Sequence, residues 1–279
     1  MEEQMARRLA ALNSRFYAMQ AASFSSTRQS PWQGWHQVAK TLSKPALSPG
    51  AGGAVAGSDL GAATVEDPDS SVRLLDLACG NMRFQRFLVQ EHPQVTWDYV
   101  GADNCPDLMA SAAPSGGPAE LVALDAVEAL IDGTLSQQLT ALGPKPFDAA
   151  VSFGFAHHVP GFSRRVDLLR SLVAAVRPGG LVAVSLWRFM DDPKLAEKAR
   201  ASTKGALEDL PWLQADCLEA GDFVLGWQDR PGAYRYCHHF SAAEIDRLVD
   251  AVPEARLVAR FGADGRTGTL NEYLVLRRV

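Results

Sequence analysis

The stretch LLDLACGNMRF, which runs from Leu74 to Phe84, decides the fold of this chain. It begins with the continuous apolar pattern of a buried strand and ends with a helical pattern. The turn Ala-Cys-Gly-Asn stands between them. A strand that ends in such a turn directly before a helix presents backbone N–H groups at the helix N-terminus, where a ligand can bind. The stretch therefore predicts a binding loop at the carboxyl end of a strand.

The glycine pattern of this turn indicates which ligands fit. Loops that bind the pyrophosphate of a dinucleotide carry glycine at three positions, so that the phosphates can approach the backbone. In the matching stretch here, which runs from Ala78 to Arg83, Gly80 is the only glycine of the three. The turn is therefore a poor pyrophosphate site, which argues against a nicotinamide dehydrogenase. Ala78 should cost little unless its φ angle is positive.

The residues that follow alternate between strand and helix patterns. Strands are predicted at 72–77, 96–102, 120–124, 147–153 and 180–187, and helices at 83–91, 106–112, 127–141 and 163–176. This order is typical of a parallel, doubly wound α/β sheet with both faces covered. A further helix at 241–250 and two strands at 255–261 and 269–277 are predicted to complete it.

The chain divides into three parts by composition. Residues 1–44 form a helical N-terminal extension, with an amphipathic helix over 3–20, that could act as a lid. Residues 45–71 are rich in Gly, Ala, Ser and Pro and read as a flexible linker. Residues 72–279 form the main domain, in which 188–238 reads as a long, irregular insertion on the substrate side.

Composition limits the classes of partner and location. The net charge of −5 argues against a broadly basic nucleic-acid binder, although residues 1–45 carry six Lys and Arg against two Asp and Glu. That basic end is either a solvated surface or a local site for an anionic partner. The four cysteines show no metal or disulfide spacing, and no apolar run is long enough to span a membrane. We therefore expect a soluble, cytoplasmic protein.

Five motifs, taken in order, resemble those of class I S-adenosylmethionine-dependent methyltransferases. In the first motif, Asp76, Cys79 and Gly80 match, whereas Ala78 and Met82 depart from the usual pattern. YVGADNCPDLM and LVALDA resemble the second and third motifs, and FDAAVSFGFAHH and VRPGGLVAVSLW resemble the fourth and fifth. The resemblance implies a Rossmann-like seven-stranded sheet whose last strand is antiparallel, with S-adenosylmethionine as the cofactor.

The same resemblance implies a set of cofactor-binding residues. Asp103 would accept hydrogen bonds from the ribose hydroxyls, and Asp125 would lie near the adenine edge. An aspartate after a strand is more usually a helix cap or a turn residue. Met82 could pack its flexible side chain near the sulfonium. The full set is Asp76, Ala78, Cys79, Gly80, Asn81, Asp103, Asn104, Asp125, Ala126, Ser152 and Phe153.

Three further stretches are similar to the tRNA wobble-uridine carboxymethyl methyltransferases. They are FSSTRQSPW from Phe24 to Trp32, the pair His157-His158, and YRYCHHF over 234–240. This closer resemblance implies tRNA modification assisted by a small zinc-binding activator subunit. The acidic net charge and the 45–71 segment depart from a typical tRNA-binding enzyme.

Candidate catalytic residues follow from the closer family and from the chemistry it implies. Arg28 and Arg235 could each grip a carboxylate by two hydrogen bonds, and a carboxylate needs no base because it is ionised at pH 7. His157 or His158 could orient the acceptor, or deprotonate a hydroxyl or an amine. The alternatives are a surface salt bridge for Arg28 and caps for the histidines. Adjacent side chains diverge, so no metal site is expected.

Several functions stay open from the sequence. The acceptor is tRNA, a small molecule with a carboxylate, hydroxyl or amine, or a protein. Because Ala78 and Met82 depart from the motif, an inactive methyltransferase-like protein that binds a partner is a second class. Trp32 and Trp35 are interpreted as lid or packing residues rather than base-stacking platforms. His238 and His239 are weaker candidates for a functional role.

Overall fold

The computed structural model describes residues 1–27, 30–42, 71–110, 119–228 and 230–279. Its centre is a seven-stranded sheet in the order β3-β2-β1-β4-β5-β9-β8. The strands of this sheet are β1 Val72–Leu77, β2 Trp97–Asp103, β3 Ala119–Ala123, β4 Phe147–Ser152, β5 Val176–Trp187, β8 Ala255–Ala263 and β9 Asn271–Arg278. β1 to β5 are parallel, and β9 runs antiparallel to both β5 and β8. The predicted α/β sheet with an antiparallel last strand is confirmed.

Helices cover both faces of this sheet, as near-continuous apolar strands require. The helices of the main domain are α3 Arg83–Glu91, α4 Pro106–Ala110, α5 Ala126–Ile131, α6 Leu135–Thr140, α7 Phe162–Ala175, α8 Pro193–Asp209 and α9 Ala242–Asp250. One apolar cluster joins the sheet to α5, α6, α7 and α9. A second cluster joins the other face to α3 and to a helix of the N-terminal extension.

The main differences between the structure and the predicted elements lie in two places. The single helix expected over 127–141 is two helices, because the chain turns at Gly133 with a φ of 69°. The insertion at 188–238 is ordered rather than irregular. It contains α8 and a two-stranded antiparallel sheet of β6 Asp222–Trp227 and β7 Arg230–His238. Asp192 caps α8 by accepting hydrogen bonds from two backbone N–H groups.

The N-terminal extension forms two helices, α1 Glu3–Ser26 and α2 Gln33–Leu42. α1 packs on β7, α4 and α5, so it crosses the carboxyl edge of the sheet. α2 packs closely on the sheet at Gly34, where a Cβ atom would lie 2.2 Å from the ring of Tyr273. The Asp264 carboxylate accepts a hydrogen bond from the Gly34 N–H and fixes the start of α2.

Residues 45–70 of the predicted linker lie outside the described residues. No helix of the described ranges combines the length and apolarity needed to cross a bilayer.

Candidate active site

A cleft of about 570 Å³ opens at the carboxyl ends of β1, β2 and β4. This volume is within the usual range for small-molecule sites, and the carboxyl edge is where parallel α/β sheets bind ligands. One half of the cleft is made by the loops after β1 and β2. The other half is made by α1, by the loop after β4 and by the β6–β7 hairpin.

The turn after β1 has an unusual backbone. Ala78, Gly80 and Met82 all have positive φ angles, of 63°, 54° and 60°. These are the three positions at which the first motif of class I methyltransferases usually carries glycine, so the turn keeps the shape without two of the glycines. The left-handed conformation costs a residue with a Cβ atom about 1–2 kcal/mol. The exception stated for Ala78 therefore applies, and with its positive φ this residue carries that cost.

Met82 does not enter the cleft. Its side chain is 3% exposed and belongs to the apolar cluster under α2 and α3. A Cβ atom on Gly101 would lie 3.0 Å from the Met82 sulfur, so the missing side chain at Gly101 makes room for it. Met82, although it is not glycine, thus leaves the cleft open.

Asp103, the last residue of β2, faces the turn across the cleft. One carboxylate oxygen accepts from the Gly80 N–H at 2.9 Å, and the other accepts from the Cys105 N–H at 2.8 Å. Burial raises the pKa of this carboxyl, and the two N–H groups oppose the rise. Each oxygen has a second lone pair, so the carboxylate can still accept hydrogen bonds from a ligand in the cleft.

Asp76 is a second buried carboxyl on the cofactor side of the cleft. Burial raises its pKa to about 7, and the hydroxyl of Tyr99 opposes the rise by donating a hydrogen bond to it. The nearby negative charge of Asp103 raises the pKa further. Asp76 is therefore close to half-ionised at neutral pH, and a cationic ligand group beside it would favour its charged form.

Asp125 acts as the N-cap of α5. One of its oxygens accepts from the N–H groups of Val127 and Glu128, and the other accepts from the Asn104 amide at 2.8 Å. Asp125, Asn104 and Ala126 all line the cleft. Asp125 can thus cap α5 and also lie near a bound ligand, because it stands at the wall of the cleft.

The remaining residues of the predicted cofactor set separate into two groups. Cys79, Asn81 and Phe153 line the cleft, and the Asn81 amide donates to the Ser25 hydroxyl of α1 at 2.9 Å. Ser152 does not line it. Its side chain is fully buried, and its hydroxyl donates to the carbonyl of Leu77.

Arg235 lies in the half of the cleft away from the turn. Its guanidinium packs against the rings of Phe16 and Trp227, at 4.9 and 5.1 Å from the ring centroids. The residue is 6% exposed. Among the residues that the structure describes, none accepts a hydrogen bond from its Nε or Nη1, and none forms an ion pair with it. A buried charge without a partner favours an anionic ligand.

His158 is held on both sides of its ring. Nδ1 lies 2.8 Å from the carbonyl oxygen of Tyr236, and Nε2 lies 2.8 Å from the hydroxyl of Tyr17. The Asn13 amide also donates to the Tyr236 carbonyl and accepts from the Tyr236 N–H. Helix α1 is thereby joined to β7 at the wall of the cleft. His157, the neighbour of His158, lines the cleft with its ring 5.0 Å from Trp187.

His157, His158 and Cys237 present possible metal-ligand atoms within 4.8 Å of one another. Both ring nitrogens of His158 already have protein partners, and binding a metal would break one of those hydrogen bonds. We therefore assign no metal to this cluster.

The other predicted residues have varied positions. Arg28 lies outside the described residues. Trp32 and Trp35 line the cleft, and Trp32 covers Gly154, where a Cβ atom would lie 3.0 Å from its ring. His238 is fully buried away from the cleft, between the carboxylates of Asp222 and Glu244.

The cleft lining also includes residues that the sequence did not point to, among them Asn13, Tyr17, Trp187 and Trp227. Asn13 and Tyr17 are polar residues in the apolar pattern of α1, which was a usable signal for a functional face. Trp187 and Trp227 end β5 and β6, and strand ends of this kind point to a binding edge.

Comparison with known proteins agrees with this geometry. The model of the methyltransferase domain family matches residues 75–184, which run from β1 into β5. The matched range contains the turn, Asp103 and Asp125, whereas Tyr17 and Arg235 lie outside it.

Two curated proteins are similar to parts of the chain. Trans-aconitate 2-methyltransferase of Streptomyces avermitilis is 30% identical over 149 residues, covering 51% of each protein. A probable tRNA methyltransferase 9B of Bos taurus is 23% identical over 166 residues, covering 60% of this chain and 30% of the relative. The chain therefore spans about half or less of the length of these relatives.

The fold has solved counterparts. A SAM-dependent methyltransferase of Methanosarcina mazei superposes with a TM-score of 0.52 and 16% identity, covering 76% of this chain and 94% of that one. At that identity the likeness shows the class I methyltransferase fold alone.

Proposed function

We propose that this chain is an S-adenosylmethionine-dependent methyltransferase whose acceptor carries a carboxylate. The observation that carries this proposal is a single cleft with two chemically different halves. One half holds Asp103 beside the turn at Gly80, and the other holds the buried cation of Arg235.

The cofactor half has groups that fit S-adenosylmethionine. Asp103 would accept the ribose hydroxyls, and the open side of Gly80, where a Cβ atom would meet nothing within 4 Å, leaves room for close approach. Asp76 would face the ammonium group, which its carboxylate form favours. S-adenosylmethionine supplies an electrophilic methyl group on a sulfonium. The chain itself must hold the acceptor in line and exclude water.

The acceptor half fits a carboxylate. The rings of Phe16 and Trp227 cover the guanidinium of Arg235, whose Nε and Nη1 have no acceptor among the described residues and can donate to an anion. The name of the Streptomyces relative refers to a carboxylic acid, which supports a small carboxylate as acceptor.

An RNA acceptor is the second candidate. It is supported by the resemblance to the wobble-uridine enzymes and by the name of the Bos taurus relative. In that case the zinc-binding activator subunit would be a partner. The small-molecule reading is favoured by helix α1, because Asn13, Ser14 and Tyr17 close one side of the cleft.

Calorimetry with S-adenosylhomocysteine tests the cofactor half. Asp103→Ala should weaken binding at least about tenfold, because hydrogen bonds to a charged group contribute about 1.5–3 kcal/mol each. Asp107→Ala is the matched control, since Asp107 is exposed on α4 and does not line the cleft. The absence of binding at millimolar ligand would reject the proposal in favour of an inactive, partner-binding protein.

Labelled methyl transfer distinguishes the acceptors. The protein is incubated with methyl-labelled cofactor and either bulk tRNA or a small-molecule extract, with and without candidate activator subunits. Label in the extract supports the small acceptor. Label in tRNA alone supports an RNA acceptor instead.

A further inference from the structure

The hydrogen bonds of His158 determine which ring nitrogen carries the proton. A carbonyl oxygen can only accept, so Nδ1, 2.8 Å from the Tyr236 carbonyl, must be the N–H nitrogen. Asn13 donates to the same carbonyl at 3.2 Å, which explains why its amide nitrogen also lies near Nδ1. In the neutral ring, Nε2 is then the acceptor.

Tyr17 completes the arrangement from helix α1. Its hydroxyl lies 2.8 Å from Nε2 of His158 and therefore donates to it. Both residues line the cleft. The Tyr17 oxygen can thus accept a proton from a ligand while its own proton moves to Nε2. The resulting imidazolium would keep both hydrogen bonds, to the Tyr236 carbonyl and to the Tyr17 oxygen.

Such a pair has no use in methyl transfer to a carboxylate, because that acceptor is already ionised and releases no proton. A hydroxyl acceptor must lose its proton, and a positioned proton acceptor then contributes to the rate. We propose that Tyr17 and His158 form a proton-accepting pair, and that the methyl group goes to a hydroxyl oxygen of an acid whose carboxylate Arg235 holds. This inference rests on the proposed methyltransferase activity.

The proposed step transfers one proton and one methyl group. The acceptor O–H bond breaks, and its proton passes to the Tyr17 oxygen as the Tyr17 proton passes to Nε2 of His158. The acceptor oxygen forms a bond to the methyl carbon, the methyl–sulfur bond breaks, and its electron pair stays on sulfur. The products are a methyl ether, S-adenosylhomocysteine and a protonated His158, which later returns its proton to water.

The neighbours of His158 bear on its titration. His157 lies with its ring centroid 4.1 Å away, and the Cys237 sulfur lies 3.9 Å from Nδ1. The charged Arg235 lines the same cleft. Since Arg235 is cationic, a bound carboxylate should favour proton uptake by His158 when it neutralises that charge.

Tyr17→Phe is the central variant, because it removes the hydroxyl and keeps the ring that packs edge-on against Phe16 and Phe24. We expect the rate of labelled methyl transfer to the extract acceptor to fall about 100-fold or more, with S-adenosylhomocysteine affinity unchanged. The wild-type rate should rise with pH as His158 loses its proton, and this dependence should disappear in the variant. Tyr234→Phe is the matched control, since its hydroxyl bonds Asp209 outside the cleft.

The chemical class of the product gives an independent result. Mild alkali releases labelled methanol from an ester, whereas an ether keeps its label. Alkali-stable, non-basic product supports the proposal. Labelled methanol, a basic methylamine product, or an unchanged rate in Tyr17→Phe would overturn it. If the wild-type protein transfers no label to any acceptor, the proposed function itself fails.

A readout on the ligand-free protein does not depend on activity. Nitrogen-15 spectra of histidine-labelled protein should show the proton of His158 on Nδ1, with Nε2 as the acceptor, and the Nε2 signal should shift in Tyr17→Phe. A proton on Nε2 would contradict the inference.

Discussion

Replacing Arg235 by methionine should stabilise the ligand-free protein and remove acceptor binding. Two of the arginine N–H-bearing nitrogens, Nε and Nη1, are buried and have no acceptor among the described residues. Each unsatisfied buried donor costs about 1–3 kcal/mol. Methionine fills a similar volume and lacks these donors, so the free energy of unfolding should rise.

This rise in the free energy of unfolding is reduced because the variant loses the contacts that the guanidinium makes. Arg235 packs over Phe16 and Trp227, and each such cation–π contact contributes about 0.5–2 kcal/mol. Methionine retains part of this stabilisation, because its sulfur also makes favourable contacts with aromatic rings. The net expectation is a stabilisation of about 1–2 kcal/mol, which corresponds to a rise in Tm of about 2–4 °C in a chain of this size.

Thermal unfolding of Arg235→Met and wild type without ligand measures this change. Arg247→Met serves as the control, because Arg247 also covers a ring, that of Phe162, but is exposed to solvent. Its Tm should stay close to that of wild type. In methyl-transfer assays, Arg235→Met should weaken acceptor binding about 100-fold, the loss of two charged hydrogen bonds. A lower Tm together with unchanged acceptor binding would refute the inference that Arg235 binds an anionic ligand.

Two further predictions concern the cofactor half. The folded pKa of Asp76, about 7, lies above the unfolded value of 3.8, so this group lowers stability as pH rises from about 4 to 7. Between pH 5 and pH 8 the wild-type protein should lose about 2–3 kcal/mol of unfolding free energy relative to Asp76→Asn, as measured by urea unfolding. An equal pH dependence of the two proteins would contradict this. Ala78→Gly should stabilise the protein by about 0.5–1 kcal/mol by relieving a positive φ, whereas Ala201→Gly on the exposed face of α8 should destabilise it by about 1 kcal/mol. Denaturant midpoints of both variants measure this difference in sign.

Local sequence patterns were sufficient for the sheet. The strand 72–77 and the helix 83–91 have the bounds that the sequence predicts, because an apolar run and a helical period are both local signals. The insertion was misread as irregular, although Asp192 followed by Pro193 is a helix start that the sequence contains.

The pairings across the cleft could not be predicted from local patterns. Tyr17 and His158 are separated by 141 positions, and Asn13 and Tyr236 by 223. Their contact depends on α1 crossing the carboxyl edge of the sheet, and no periodicity in either segment specifies that placement. The left-handed φ at Ala78 was equally hidden, since its residue type favours the opposite sign.

The division of the cleft has a consequence for how such proteins diversify. The turn, Asp103 and Asp125 lie within the matched range 75–184, whereas Tyr17 and Arg235 come from segments before and after it. Substitutions in the β6–β7 hairpin can therefore alter which molecule is chosen without replacing a residue of the turn. The two halves can change separately, so that one cofactor scaffold can be paired with different acceptors.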